Sequence, residues 1–92
     1  ISGSSISYGN EYVFNSASTY NISAASLDAS HFVVAYEDDG NFDNGTAIIG
    51  TISGNIISYG SEYVFNSTGT YHISAASLDS SHFVVAYRDG GN

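Results

Sequence analysis

The sequence predicts an all-β protein made of two copies of one repeat, and three observations predict it. Residues 1–41 align with residues 52–92 without a gap, and nine differences among the 41 aligned pairs leave 32 identities. Runs of about five to eight residues are rich in Val, Ile, Tyr, Phe and Thr and lie between clusters of Gly, Asn, Asp and Ser, as is typical of strands and turns. No stretch carries the apolar stripe of an amphipathic helix.

Four antiparallel strands are predicted in each repeat of about 51 residues. The inner strand, Tyr20–Leu27, carries small Ser and Ala residues that suit a crowded position. The second strand, His31–Glu37, is apolar on both faces, as expected of a middle strand covered on both sides. The third strand is Thr46–Ser53, and the outer strand is Ile57–Asn66.

Short turns connect these strands. Asp28-Ala29-Ser30 joins the inner and second strands, with Asp28 accepting backbone N–H groups. Asn44-Gly45 is a strong two-residue hairpin signal, because both residues tolerate positive φ. Gly54-Asn55 leads into the outer strand, and Ser67–Thr70 separates that strand from the next inner one.

The chain begins on a first copy of the outer strand, Ile6–Asn15, whose alternating pattern predicts one face in contact with solvent. Residues 1–51 form the first repeat, in which this outer strand of one unit precedes the inner, second and third strands of the next. Residues 52–92 form the second repeat, which lacks the equivalent of residues 42–51.

Four antiparallel strands per repeat, joined by tight turns, describe a β-propeller blade. A β-sandwich and a β-solenoid are the alternatives. Two blades cannot close a ring, since propellers contain about four to eight blades, and an isolated pair would leave large apolar faces in water. The sequence therefore predicts a propeller completed by oligomerisation, with one incomplete blade per chain and a ring of about six to ten blades.

The predicted function is non-enzymatic: a self-assembling propeller fragment that forms a homo-oligomeric ring by head-to-tail blade packing and strand exchange. The alternative is a glycan- or surface-binding, lectin-like module, with one weak site per blade amplified by multivalency. A hydrolase on this scaffold is the third hypothesis, and the sequence offers no acid, base and substrate-anchor set for it.

The segments HFVVAY-x-D-x-GN, GTAIIGTISGN and ISYGSEYVFNS resemble tandem propeller-like repeats of large bacterial surface proteins. More loosely, they are similar to sialidase-type and integrin-type blades. The sequence lacks the Asp-box pattern, so no active-site residue is carried over from these families. The sialidase likeness implies no hydrolase, because the arginine cluster that grips a substrate carboxylate cannot be built from Arg88 alone.

The composition limits the partners. Nine acidic residues face one basic residue, Arg88, which gives a net charge of −8. Because phosphate groups require Lys or Arg, this balance argues against nucleic acid and anionic membrane surfaces, and no apolar run is long enough to insert into a bilayer. Cys is absent, which excludes disulfides and thiolate metal sites. Many Ser, Thr, Asn, Gly and Tyr residues with few charges are typical of secreted bacterial β-proteins and predict an extracellular or cell-surface location.

One acidic loop carries a candidate metal site. Asp39, Asn41 and Asp43 alternate as oxygen ligands do in D-x-[DN]-x-[DN]-G loops, and they predict calcium as the one candidate cofactor. The glycine comes one position late, and no glutamate closes the loop. The alternative is a solvated loop without a metal.

Eight tyrosines form four repeat pairs. Tyr8 and Tyr12, with their equivalents Tyr59 and Tyr63, are the candidates for exposed platforms that stack sugar rings. Packing between blades is the alternative, since recurrence in both copies is equally expected of buried residues.

No catalytic residue is predicted. His31 and His82 are repeat equivalents, each next to a serine and three residues after Asp28 or Asp79. These groups share one tight turn, whereas a catalytic triad needs side chains that converge from separate elements.

Overall fold

The structure is a computed structural model and describes residues 3–91. Within that range the chain is all-β apart from a 3₁₀ turn at Asp39–Asn41, which confirms the predicted fold class at this level. The strands are Thr19–Asp28 (β1), His31–Asp38 (β2), Asn44–Ser53 (β3), Ile56–Tyr59 (β4), Tyr63–Asp79 (β5) and His82–Asp89 (β6). All of their pairings are antiparallel. Residues 3–91 contain no helix with the length and hydrophobicity that crossing a membrane requires.

The first three strands form a meander with β2 in the middle. The β2–β3 ladder is uninterrupted from His31 opposite Thr51 to Asp38 opposite Asn44. The far edge of β3 pairs with β4 along its C-terminal half and with the start of β5 along its N-terminal half. The result is one four-stranded unit whose fourth position is shared by β4 and the start of β5.

β5 belongs to both parts of the molecule. Its residues 63–69 pair with β3, and its residues 70–79 pair with β6. The second half of β5 also packs across β1, so that the antiparallel sheet is nearly closed as a barrel.

Two hairpins of nearly the same sequence have the same geometry. We call β1 with β2 the first hairpin, and residues 70–79 of β5 with β6 the second hairpin. Their registers match throughout, each with a bulge after its first tyrosine. The bulges place Asn21 at φ 52° and its equivalent His72 at φ 53°. The repeat in the sequence is therefore a repeat in backbone conformation over these segments.

The hydrophobic core lies on one face of the four-stranded unit. Its residues are buried or half-buried aliphatic and aromatic side chains: Val34, Tyr36, Ile48, Phe14, Phe32 and Tyr59. On the opposite face of β2, Val33 and Ala35 are also buried. β2 is thus covered on both faces, as its apolar sequence predicts.

The predicted outer strand at Ile6–Asn15 is wrong, because residues 6–15 form no strand. The equivalent residues 57–66 reach strand conformation by pairing with β3, and that edge of β3 is already occupied by β4 and β5. A segment without a partner for its backbone groups does not form a strand.

Two further boundaries differ from the prediction. Ile57–Asn66 is interrupted at residues 60–62, and Ser67–Thr70 lies inside β5 and does not separate two strands. The predicted turn at Asn44-Gly45 is also displaced: positive φ occurs at Phe42 and Asp43, while Asn44 and Gly45 already pair with β2. The 3₁₀ turn, capped by the Asp38 side chain accepting from the Gly40 amide, moves the reversal of the chain upstream. The predicted turn at Gly54-Asn55 is confirmed, with Gly54 at φ 61°.

Gly50 is expected to be intolerant of a side chain. It lies opposite Phe32, whose ring covers the position that a β-carbon would occupy. Gly50→Ala should therefore lower the free energy of unfolding by about 1–3 kcal/mol. Gly9→Ala is the matched control, because nothing lies within 4 Å of its added carbon, and it should change stability by less than about 0.5 kcal/mol. Urea denaturation of both variants measures the difference, and equal midpoints would mean that the ring moves aside.

Candidate functional site

The main candidate site is a pair of sheet faces, and the first hairpin shows how such a face is covered. Ser23 pairs with Ala35, and Ala25 with Val33, so these four small residues share one face of the hairpin. Val33 and Ala35 are fully buried. β5, whose second half belongs to the second hairpin, packs against both strands of the first hairpin.

Contact between the two hairpins is direct. The backbone amide of Ala75 donates a hydrogen bond to Ser23 Oγ at 3.0 Å. Ile73, two residues earlier on the same face of β5, is only 8% exposed. The face of the first hairpin that carries Ser23 and Val33 therefore packs against the second hairpin on the side of Ile73 and Ala75.

The second hairpin leaves the equivalent of that covered face in solvent. We call its residues Ser74, Ala76, Val84 and Ala86 the open face; Ser74 pairs with Ala86, and Ala76 with Val84. All four are exposed. Val84 is 48% exposed, whereas Val33, its equivalent in an identical HFVVAY segment, is 0% exposed. Identical residues in identical local structure thus differ only in what covers them.

The first hairpin also has exposed residues, on the side whose equivalent is buried in the second hairpin. We call Ile22 and Ala24 the counter-face; Ala24 pairs with Val34, so these residues lie on the face of the first hairpin that also carries the core. Ile22 is 54% exposed, although its equivalent Ile73 is buried against the first hairpin. Within residues 3–91, the two hairpins therefore make one contact with each other, and Val84 and Ile22 are exposed although their equivalents Val33 and Ile73 are buried.

The edge of β6 is incomplete as well. β2 pairs with β1 on one side and with β3 on the other. Within residues 3–91, β6 pairs only with β5. The outer edge of β6 therefore presents backbone donors and acceptors, whereas the corresponding edge of β2 is paired with β3.

The structure separates the four predicted ligand-binding tyrosines into two kinds. Tyr8 is 86% exposed and lines a polar pocket of about 410 Å³ with Ser7, Gly9, Asn10 and Asn55. Tyr63 is exposed on β5. Tyr59 packs edge-on against Phe32, and burial raises its pKa. The hydroxyl of Tyr12 donates to the backbone oxygen of Asn55 at 3.3 Å, near the Tyr8 pocket.

The acidic loop brings two of its three predicted metal ligands together. A hydrogen bond between the carboxyl groups of Asp39 and Asp43 raises the pKa of Asp39. Asn41 ends the 3₁₀ turn between them. Across residues 3–91, no three His, Asp or Glu side chains are grouped so that they could hold a metal ion. Calcium at Asp39, Asn41 and Asp43 stays a prediction.

The two Asp-Ser-His turns have matching geometry. His31 Nδ1 lies 2.9 Å from Asp28 Oδ1, and the Ser30 amide donates to the same oxygen at 2.8 Å. In the second copy both corresponding distances are 2.8 Å. These contacts confirm that the aspartate caps its turn. A pocket of about 300 Å³ lies between the turns and has a largely apolar lining that includes Leu27, Ile49 and Phe83.

Stability at acidic pH is expected to depend on these turns. The hydrogen bond from the Ser30 amide, followed by that from His31, lowers the pKa of Asp28 below its ordinary value of 3.8, and Ser81 and His82 do the same for Asp79. A carboxyl group with a lowered pKa stabilises the fold above its unfolded pKa and loses that contribution as the pH falls through the folded value. We expect urea midpoints to fall between about pH 4 and pH 2, and to fall less in an Asp28→Asn/Asp79→Asn variant. Parallel profiles for both proteins would contradict this origin.

The open face and the counter-face were absent from the residues that sequence reasoning proposed. Each consists of small or aliphatic residues that are common in any strand, so no motif marks them. The signal was the repeat itself: once the structure shows which residues of one copy are buried, the alignment points to their exposed equivalents.

Comparison of the chain with protein-family models, curated proteins and solved structures finds no match in any of the three.

Proposed function

We propose that the chain is a non-enzymatic, self-assembling unit whose copies join head to tail into a closed β-propeller. The observation that carries the proposal is the difference between Val33, which is 0% exposed, and Val84, which is 48% exposed, in identical sequence. The four-stranded unit is the first blade, and the second hairpin is the beginning of the next.

The contact inside the chain is the template for the contact between chains. The first hairpin already accepts the Ile73 side of the second hairpin on its Val33 side. Applied once more, the same packing places the Ile22 side of another copy on the open face. Ala24 of that copy would then donate its backbone amide to Ser74 Oγ, as Ala75 does to Ser23 within the chain.

This contact joins two different surfaces, so it is heterologous and does not end at a dimer. The addition of copies stops when the rotation between successive blades closes a ring. About three to five copies, or six to ten blades, are expected. The resemblance of the repeat to bacterial surface proteins supports the same architecture and an extracellular or cell-surface location.

Native mass spectrometry with light scattering at micromolar concentration tests the proposal. We expect one dominant species whose mass is an integral multiple of 9.7 kDa. A stable monomer, or a continuous series of masses without a closed species, would overturn it.

Assembly is expected to strengthen with salt. Each chain carries a net charge of −8, and the single cation, Arg88, lies over the Tyr71 ring at 5.4 Å beside the open face. Repulsion between acidic copies is screened when the Debye length falls from about 30 Å at 0.01 M salt to about 8 Å at 0.15 M. The oligomer should therefore dissociate at a lower protein concentration at 0.15 M than at 0.01 M. Sedimentation velocity measures this, and the opposite trend would indicate an interface dominated by ion pairs.

A second candidate function is glycan binding beside Tyr8. The supporting observation is the polar pocket of about 410 Å³, in which an 86% exposed aromatic side chain lies beside Asn10 and Asn55. A flat apolar ring next to amide groups suits a sugar, and a ring of copies would multiply weak sites. Binding on a glycan array that Tyr8→Ala abolishes and Tyr20→Ala preserves would support this candidate. An array without signal would remove it.

A further inference from the structure

We propose that the outer edge of β6 is a docking site for one extended strand with the sequence of β3, added antiparallel in the register that β3 takes on β2. The inference rests on the proposed function in one respect, since the added strand would extend the second blade. It concerns an edge, whereas assembly concerns the faces, so the two can fail separately.

The edge of β6 has the same sequence as a strand that already accepts β3. Residues 31–36 and residues 82–87 are both HFVVAY. The partners on the inner side match as well, since Ala35 lies opposite Ser23 and its equivalent Ala86 lies opposite Ser74. Because backbone conformation and side-chain alternation are shared, the edge of β6 offers the geometry that holds β3 on β2.

The β2–β3 ladder defines what the docked strand must contain. Gly50 lies opposite Phe32, and the ring covers the space where a β-carbon would be. Phe83 is the equivalent of Phe32 on β6. The docked strand therefore needs glycine opposite Phe83, which makes the site selective beyond its backbone hydrogen bonds.

The docked strand would also cover apolar side chains. Ile48 packs against Val34 and Tyr36 in the first unit. The equivalent positions on β6 are Val85, which is half-buried, and Tyr87, which is 39% exposed against 0% for Tyr36. The isoleucine of an added strand would lie beside them, so docking buries aromatic and aliphatic surface.

Strand direction excludes the N-terminal segment as the direct occupant. Residues 6–15 correspond to residues 57–66, which pair antiparallel with β3 and therefore run parallel to β2. In the same arrangement residues 6–15 of another copy would lie one position further out, beyond the docked strand. A strand like β3 is the one that fits the edge itself.

A labelled peptide with the sequence Asn44–Ser53 is the probe. Fluorescence anisotropy should show saturable binding to the native chain, and amide hydrogen exchange should slow at residues 82–89. A peptide carrying Gly50→Val should bind at least tenfold more weakly, and a peptide of residues 6–15 should not bind alone. Equal affinity for the two Gly50 forms, or protection outside β6, would overturn the proposal.

The same titration on an Ala76→Asp variant separates this inference from the proposed function. Ala76 belongs to the open face but lies on β5, so this substitution alters the open face and leaves the edge of β6 in place. If the native chain forms rings but neither the native chain nor the variant binds the peptide, the docking site alone is wrong. A monomer that binds the peptide with the Gly50 requirement would overturn the ring and support the docking site.

Discussion

Val84→Asp is expected to leave the chain folded and to abolish its assembly. Val84 is 48% exposed, so a carboxylate at this position stays hydrated in the single chain and should change the free energy of unfolding by less than about 1 kcal/mol. In the proposed ring the same carboxylate would be buried against the counter-face of a neighbour without a partner, which costs several kcal/mol per interface. Light scattering should report a monomer of 9.7 kDa.

Val33→Asp is the matched variant, because it makes the same change at the equivalent position of the first copy. Val33 is 0% exposed between the two hairpins, so its carboxylate would be buried within the chain itself. We expect a loss of about 4 kcal/mol or more, enough to unfold a small domain of ordinary stability. Circular dichroism and urea denaturation compare the two.

The pair of results distinguishes an interface from a sheet surface that stays in solvent. If Val84→Asp assembles as the native chain does, the open face lies outside the contact between copies and the proposed ring is wrong. If Val33→Asp folds normally, the packing between the hairpins is weaker than its burial implies. Only the contrast between unfolding at one position and dissociation at the other supports the template argument.

The local structure could be predicted from the sequence where two paired strands are adjacent in the chain. The turns at Asp28 and Asp79 are fixed by side chains that accept amides two residues ahead, and the strands on either side are joined directly to each other. The apolar pattern of β2 also predicted a strand buried on both faces. These features depend on contacts close in sequence, which a strand and turn pattern encodes.

Elements whose partner lies elsewhere in the chain could not be predicted in this way. Residues 6–15 and residues 57–66 have almost the same sequence, yet only the second segment finds a free edge of β3. The same limit applies to the site. Val33 and Val84 differ in exposure because of what lies across from them, and a composition or motif search treats them as one residue.

The N-terminal segment nonetheless keeps one contact of a strand that it does not form. The centroids of the Phe14 and Tyr36 rings are 5.1 Å apart, and those of the equivalent Phe65 and Tyr87 rings are also 5.1 Å apart. Asn15 donates to Thr19 Oγ1 at 2.9 Å, as Asn66 does to Thr70 at 3.0 Å. Packing of the segment against the next unit is thus independent of its pairing with a preceding strand.

Phe14→Ala is therefore expected to destabilise the fold although Phe14 lies outside every strand. The ring contacts Tyr36 and, at 6.1 Å, Tyr59, both of which belong to the core. Removing a half-buried phenylalanine from such a cluster should lower the free energy of unfolding by about 3 kcal/mol. Val13→Ala is the control, because Val13, the residue next to Phe14, is itself 76% exposed and should contribute less than about 0.5 kcal/mol.

Urea denaturation of the two variants, with amide exchange at residues 5–18, measures both the global and the local effect. Faster exchange in that segment together with the global loss would show that Phe14 anchors the segment to the core. A global loss below about 1 kcal/mol would mean that the core closes without it. The segment would then be available to pair with another copy at little cost, and strand exchange would contribute more to assembly than packing of the open face.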